Sequence, residues 1–79
     1  MSSDEIFAVI CENVRQVLSS IDGRPLVRTD RLDALGANSV DRMEIVMMTL
    51  ERLDLNIPVV DTHGPRNIGE LADLLSTKF

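Results

Sequence analysis

Apolar residues fall into three runs with helical spacing, separated by two stretches in which that spacing breaks down. In the first run Ile6, Ile10, Val14, Val17 and Ile21 recur at steps of four, four, three and four, which lines them along one helix face. Ser2, followed three residues later by Glu5, forms a capping-box pattern and predicts a start near Ser3. The Asp22-Gly23-Arg24-Pro25 segment predicts the end. A second helix is predicted from about Ser39 to Asp54, capped by Asn38 or Ser39 and stopped by Asn56-Ile57-Pro58. The third opens at Asn67, where Asn-Ile-Gly-Glu repeats the capping logic through Glu70, and Ile68, Leu71, Leu74 and Leu75 supply its buried stripe. Residues 59 to 66 read as irregular, with Gly64-Pro65 as a turn signal and room for a short helix before it.

Between the first two helices lies a long connection, residues 22 to 38, in which Leu26, Val27, Leu32 and Leu35 stand as isolated apolar anchors. Three arginines balance Asp22, Asp30 and Asp33 there, so the segment is neutral. So many aliphatic side chains predict a loop tacked onto a bundle, with a short turn around Arg31 to Leu35. The fold class is therefore all-α: a single domain, residues 1–79, of three main helices with a long first loop. With two Phe and neither Trp nor Tyr, its core must be aliphatic. The net charge of −5 argues against nucleic acid as a partner, because phosphate backbones repel such a surface. Apolar runs such as Ile45-Val46-Met47-Met48 are too short to span a bilayer, and the N-terminus lacks the pattern of a secretion signal. Cys11 is alone and cannot form an internal disulfide. These features predict a cytoplasmic monomer.

Candidate chemistry concentrates in Leu35-Gly36-Ala37-Asn38-Ser39-Val40-Asp41, which leads directly into the second helix. The pattern sets one serine at a helix start, just after a glycine-containing turn. A phosphodiester built on its oxygen would lie at the positive end of the helix dipole. By spacing alone, Ser39 is simply a helix cap. The single histidine, His63, sits in a polar turn and reads as a solvated side chain. Cys11 reads as a small core residue. No metal-ligand spacing and no glycine-rich phosphate loop is present.

From the first helix to Leu75 the chain resembles acyl carrier proteins. Their attachment motif, usually Leu-Gly-x-Asp-Ser-Leu, stands here as Leu35-Gly36-Ala37-Asn38-Ser39-Val40, with Ile57-Pro58 after the second helix and Asn67-Ile68-Gly69-Glu70-Leu71 opening the last. The resemblance implies a four-helix bundle with a short third helix. It also implies 4′-phosphopantetheine on Ser39, transferred from coenzyme A by a phosphopantetheinyl transferase, and an acyl thioester on the arm. It implies a carrier rather than an enzyme.

Two positions depart from the usual pattern. Asn38 replaces the usual Asp beside the attachment site, which bears on transferase choice. On the second helix Val40, Met43, Met47 and Leu50 recur at steps of three, four and three, on the face that the family uses to meet partner enzymes and often makes acidic. That stripe is either a partner surface or core filled by Met; Val46, Thr49 and Leu53, with Ile45 or Met48, would face the core in the first case. This pattern is similar to the free-standing donor carriers of polyketide β-branching cassettes. The likeness implies loading with malonyl by an acyltransferase, decarboxylation to acetyl by a ketosynthase-like enzyme, and delivery to an HMG-CoA-synthase-like enzyme. A carrier of another acyl or aminoacyl cargo, in fatty-acid or nonribosomal-peptide synthesis, and an unmodified helical adaptor using the Met-rich face remain alternatives.

Overall fold

The computed structural model describes residues 1–21 and 23–79. Helix α1 runs Ser3–Val17, and its start is the predicted capping box. The Glu5 N–H donates to the Ser2 hydroxyl at 3.2 Å, and the Ser2 N–H donates back to the Glu5 carboxylate at 3.1 Å. The Ser2 N–H, and after it the Ser2 hydroxyl, which also donates to the carboxylate at 3.0 Å, hold the Glu5 carboxyl below its ordinary value. The helix stops earlier than expected. After Leu18 a 3-10 turn, Ser19–Ile21, takes over, and its tighter winding puts both Leu18 and Ile21 against the core. The part of the predicted stop that rests on Asp22 lies outside the described residues.

Helix α2, Ser39–Arg52, also ends sooner than the sequence suggested. Leu55 N–H donates to the Leu50 carbonyl at 2.9 Å and Asp54 N–H to Glu51 at 3.1 Å, the paired bonds of a Schellman motif. The helix is thus closed before Asn56-Ile57-Pro58 is reached. Asp54 fills the left-handed position of this motif, at φ 55°, which glycine normally takes. A negative charge at a helix C-terminus is unfavourable as well. Asp54→Gly should therefore stabilise the domain by roughly 1 kcal/mol. A thermal melt should read this as a rise of about 4–8 °C for a domain of this size.

The expected short helix is a 3-10 turn, Val59–Thr62, and α3 spans Ile68–Ser76 behind the Asn67 cap. Among the described residues there is no strand, and no helix is long and apolar enough to cross a membrane. Both α2 and α3 pack on α1; their backbones do not approach each other, and the Val59–Thr62 turn touches both. Ile6, Ile10, Val14, Ile45, Val46, Ile68 and Leu75 form the fully buried centre of an aliphatic core. Of the predicted α3 stripe, Leu74 is only partly buried. A buried polar pair crosses the α1–α2 contact: the Asn13 amide donates to the Thr49 hydroxyl at 2.9 Å, which donates to the Ile45 carbonyl at 2.8 Å. An exposed Arg52–Glu12 ion pair joins the same two helices.

The long loop is hydrogen-bonded to α1 through Arg24 and Arg28 and to α3 through Arg28 and Asp30. Leu32 and Leu35 are buried anchors and Leu26 is half-buried, as expected. Val27 is not an anchor. The Asp30 carboxylate accepts its N–H at 2.8 Å and the Asp30 N–H bonds to its carbonyl, a tight turn that leaves the valine side chain exposed. Next to it, Arg28 reaches Asp4 at 3.2 Å, Asp73 at 2.7 Å and the Gly69 carbonyl at 3.2 Å, and its guanidinium lies 5.6 Å from the Phe7 ring centroid.

Candidate functional site

The loop delivers Ser39 through a second Schellman turn. Ala37 N–H bonds to the Leu32 carbonyl at 3.0 Å and Gly36 N–H to Asp33 at 3.1 Å. Gly36 sits at φ 99°, a conformation that a side chain would strain. The chain then becomes extended at Asn38 and turns into α2. Of the two caps that the sequence allowed, the structure uses Asn38. Its side-chain oxygen accepts the Asp41 N–H at 2.8 Å, and the Asp41 carboxylate accepts the Asn38 N–H at 3.3 Å. Ser39 is thereby relieved of capping. It is the first residue of α2, it is exposed, and among the described residues its hydroxyl makes no hydrogen bond. The oxygen stands free at the positive end of the helix.

Beside Ser39 opens a groove of about 400 Å³ between the loop, the start of α2 and the start of α3. Leu32, Ile68 and Leu71 line its apolar side, and Arg31, Arg42 and Arg66 its polar side, with Asp33 the only acid among the lining residues. The Arg31 side chain bonds the Asp33 carboxylate at 3.2 and 3.0 Å, and this, with the Ala34 N–H, holds the Asp33 carboxyl below the usual range. Arg42 crosses to the Val59–Thr62 turn and donates to the Thr62 carbonyl at 3.2 Å.

The predicted apolar face of α2 divides. Val40, Met43 and Met47 are exposed (68%, 51% and 52%), as a partner surface requires. Leu50 is not part of it: at 6% exposure it belongs to the core with Ile45, Val46, Thr49 and Leu53. At about 100° per residue Leu50 lies about 40° from Val46 but about 60° from Met47. The Schellman turn also folds Leu55 back toward it. The sequence reading missed Val60, which is 64% exposed on the turn packed against both α2 and α3 and is a further exposed apolar side chain outside the helix. Its only signal was an apolar residue following Ile57-Pro58 in a stretch without period.

The remaining candidates stay apart from chemistry. His63 is exposed at the end of the Val59–Thr62 turn. Cys11 is half-buried, and burial pushes its thiol up. No cluster of potential metal ligands occurs among the described residues.

A free serine hydroxyl on a helix start, reached through a Leu-Gly turn in a small three-helix body, is the architecture of a carrier domain. Residues 10–75 match the phosphopantetheine attachment site family, and the chain belongs to it as an acyl carrier protein, a carrier rather than an enzyme. It is 46% identical over 78 residues to the polyketide biosynthesis acyl-carrier-protein AcpK of Bacillus subtilis, covering 99% of this chain and 95% of that one. An acyl carrier protein of Prochlorococcus marinus is 31% identical, with 99% and 98% covered. Among solved structures, a chain in the crystal structure of the curacin-pathway HMG synthase in complex with acetyl donor-ACP superposes with a TM-score of 0.96. That match has 44% identity and covers 99% of this chain and 100% of the other.

Proposed function

We propose that Ser39 bears the 4′-phosphopantetheine arm, and that the chain serves polyketide β-branching as the acetyl donor to an HMG-CoA-synthase-like enzyme. The observation that carries the attachment is the division of labour at the helix start: Asn38 does the capping, so the Ser39 hydroxyl is exposed and unspent. When bound, the arm supplies a terminal thiol that holds the acyl group as a thioester. This chain contributes the positive helix end toward the phosphodiester. The likeness to a carrier seen with an HMG synthase supports the donor role. So does the exposed strip Val40, Met43 and Met47 on the helix that Ser39 opens, where a partner would meet apolar side chains. The working partners are then a phosphopantetheinyl transferase, an acyltransferase supplying malonyl, a ketosynthase-like decarboxylase and the synthase.

Attachment is tested by intact mass after incubation with coenzyme A and a transferase. The parent should gain one arm and Ser39→Ala none. The variant should fold normally, because the cap resides on Asn38. Mass gain in the alanine variant would overturn the assignment. The donor role is tested by acetyl transfer from the loaded chain to the synthase, and absence of transfer would overturn it.

A further inference from the structure

Within the proposed donor role, we infer that the groove beside Ser39 retains the free carboxylate of a short dicarboxylic acyl group, of malonyl type, and does not retain a neutral one. The inference starts from a local inversion of charge. The protein carries a net −5, yet its groove is lined by three arginines and one acid. Arg31 is already engaged by Asp33 through two hydrogen bonds, so those charges cancel locally. Arg42 and Arg66 remain, and among the described residues neither has an ion-pair partner. Arg42 is held in place by the Thr62 carbonyl, which uses one guanidinium nitrogen and leaves donors for an anion. The acid nearest Arg66 in sequence and bonding, Glu70, accepts its backbone N–H and lies outside the groove lining.

The apolar wall decides against the rival occupant, a long alkyl chain. Leu32, Ile68 and Leu71 are 8%, 1% and 2% exposed, so the core behind them is closed. A fatty chain would have to part packed side chains, whereas a short charged group needs only the basic rim. Charge then separates the two cargoes of a donor carrier. A malonyl group presents a carboxylate to Arg42 and Arg66, and an acetyl group presents none. Only the decarboxylated cargo would leave the groove without breaking a charge-assisted contact.

The test compares ¹H–¹⁵N spectra of the full chain in three forms: bearing the arm alone, loaded with acetyl, and loaded with malonyl. All three are made by transferase from the corresponding coenzyme A compounds. One exposed ionic contact multiplies the groove-bound population by up to about fivefold, and in fast exchange the shift follows that population. Malonyl loading should therefore shift the Arg42 and Arg66 side-chain signals and the Leu71 amide by up to about fivefold more than acetyl loading. Raising the salt on the unmutated protein should erase the difference, and so should Arg42→Gln with Arg66→Gln. Equal shifts with acetyl and malonyl would overturn the inference. So would full shifts with the arm alone, which would give the arginines to the phosphodiester. Equal spectra with acetyl transfer intact would remove only this inference; malonyl-specific shifts without transfer would remove only the donor role.

Discussion

Leu50→Glu should abolish cooperative folding, while Met47→Glu should melt close to the parent and lose acetyl transfer. The two side chains are one helical step apart in the predicted stripe, but Leu50 is 6% exposed and Met47 52%. A carboxylate at Leu50 would be shut into an aliphatic core without a partner, at a cost of about 4 kcal/mol or more. A domain of this length possesses only about 4–12 kcal/mol, at about 0.05–0.15 kcal/mol per residue, so the loss takes from a third to all of it. At Met47 the carboxylate reaches water, so stability should change by no more than about 0.5 kcal/mol. The loss there falls on docking, because a charge in an apolar contact must be desolvated against a surface not built to pair it. Circular-dichroism melts and an acetyl-transfer assay read the two effects separately. A Met47→Glu protein that transfers at the parental rate would remove the strip from the partner surface.

Gly69→Ala should destabilise, against the usual sign for such a change in a helix. Replacing a helical glycine by alanine normally gains about 0.5–1 kcal/mol. Here the new Cβ would stand 2.7 Å from the Arg28 Cβ and 2.9 Å from the Arg28 carbonyl oxygen. The loop cannot move away cheaply, because Gly69 N–H bonds that carbonyl at 2.8 Å and Ile68 N–H bonds Asp30 at 2.9 Å. Pushing Arg28 outward also disturbs its contacts with Asp4, Asp73 and Phe7. A net loss of about 1–3 kcal/mol is expected, typical of overpacking. The melt should fall by about 4–8 °C for each kcal/mol. A rise in melting temperature would mean that the loop yields freely.

What could be read in advance was what local chemistry decides. The capping pattern Ser2 with Glu5 fixed the start of α1, and Asn67 with Glu70 that of α3, because each pair satisfies backbone N–H groups within one turn. Ser39 was legible as a helix-start hydroxyl, but its freedom was not. That depends on Asn38 taking the cap, and spacing fits either residue equally. Leu50 was misplaced because a three-residue step fits the stripe loosely: its angle lies nearer Val46 than Met47, and the chain that folds back over the helix end then decides for the core. The ends of α1 and α2 were set by turns, one a 3-10 winding and one an aspartate in the left-handed region, where the sequence offers no glycine. The Arg28–Gly69 approach was invisible for a different reason: it joins residues far apart along the chain.

Helix α1 serves as a keel. With α2 and α3 each resting on it and their backbones apart, the two outer helices are joined through their side chains in the shared core and through the turn between them. The Val59–Thr62 turn packs on both, with Arg42 donating to the Thr62 carbonyl, and the loop leading into α2 is bonded to the start of α3 at Ile68 and Gly69. The groove beside Ser39 is thus walled by two helices that share α1 as their common support.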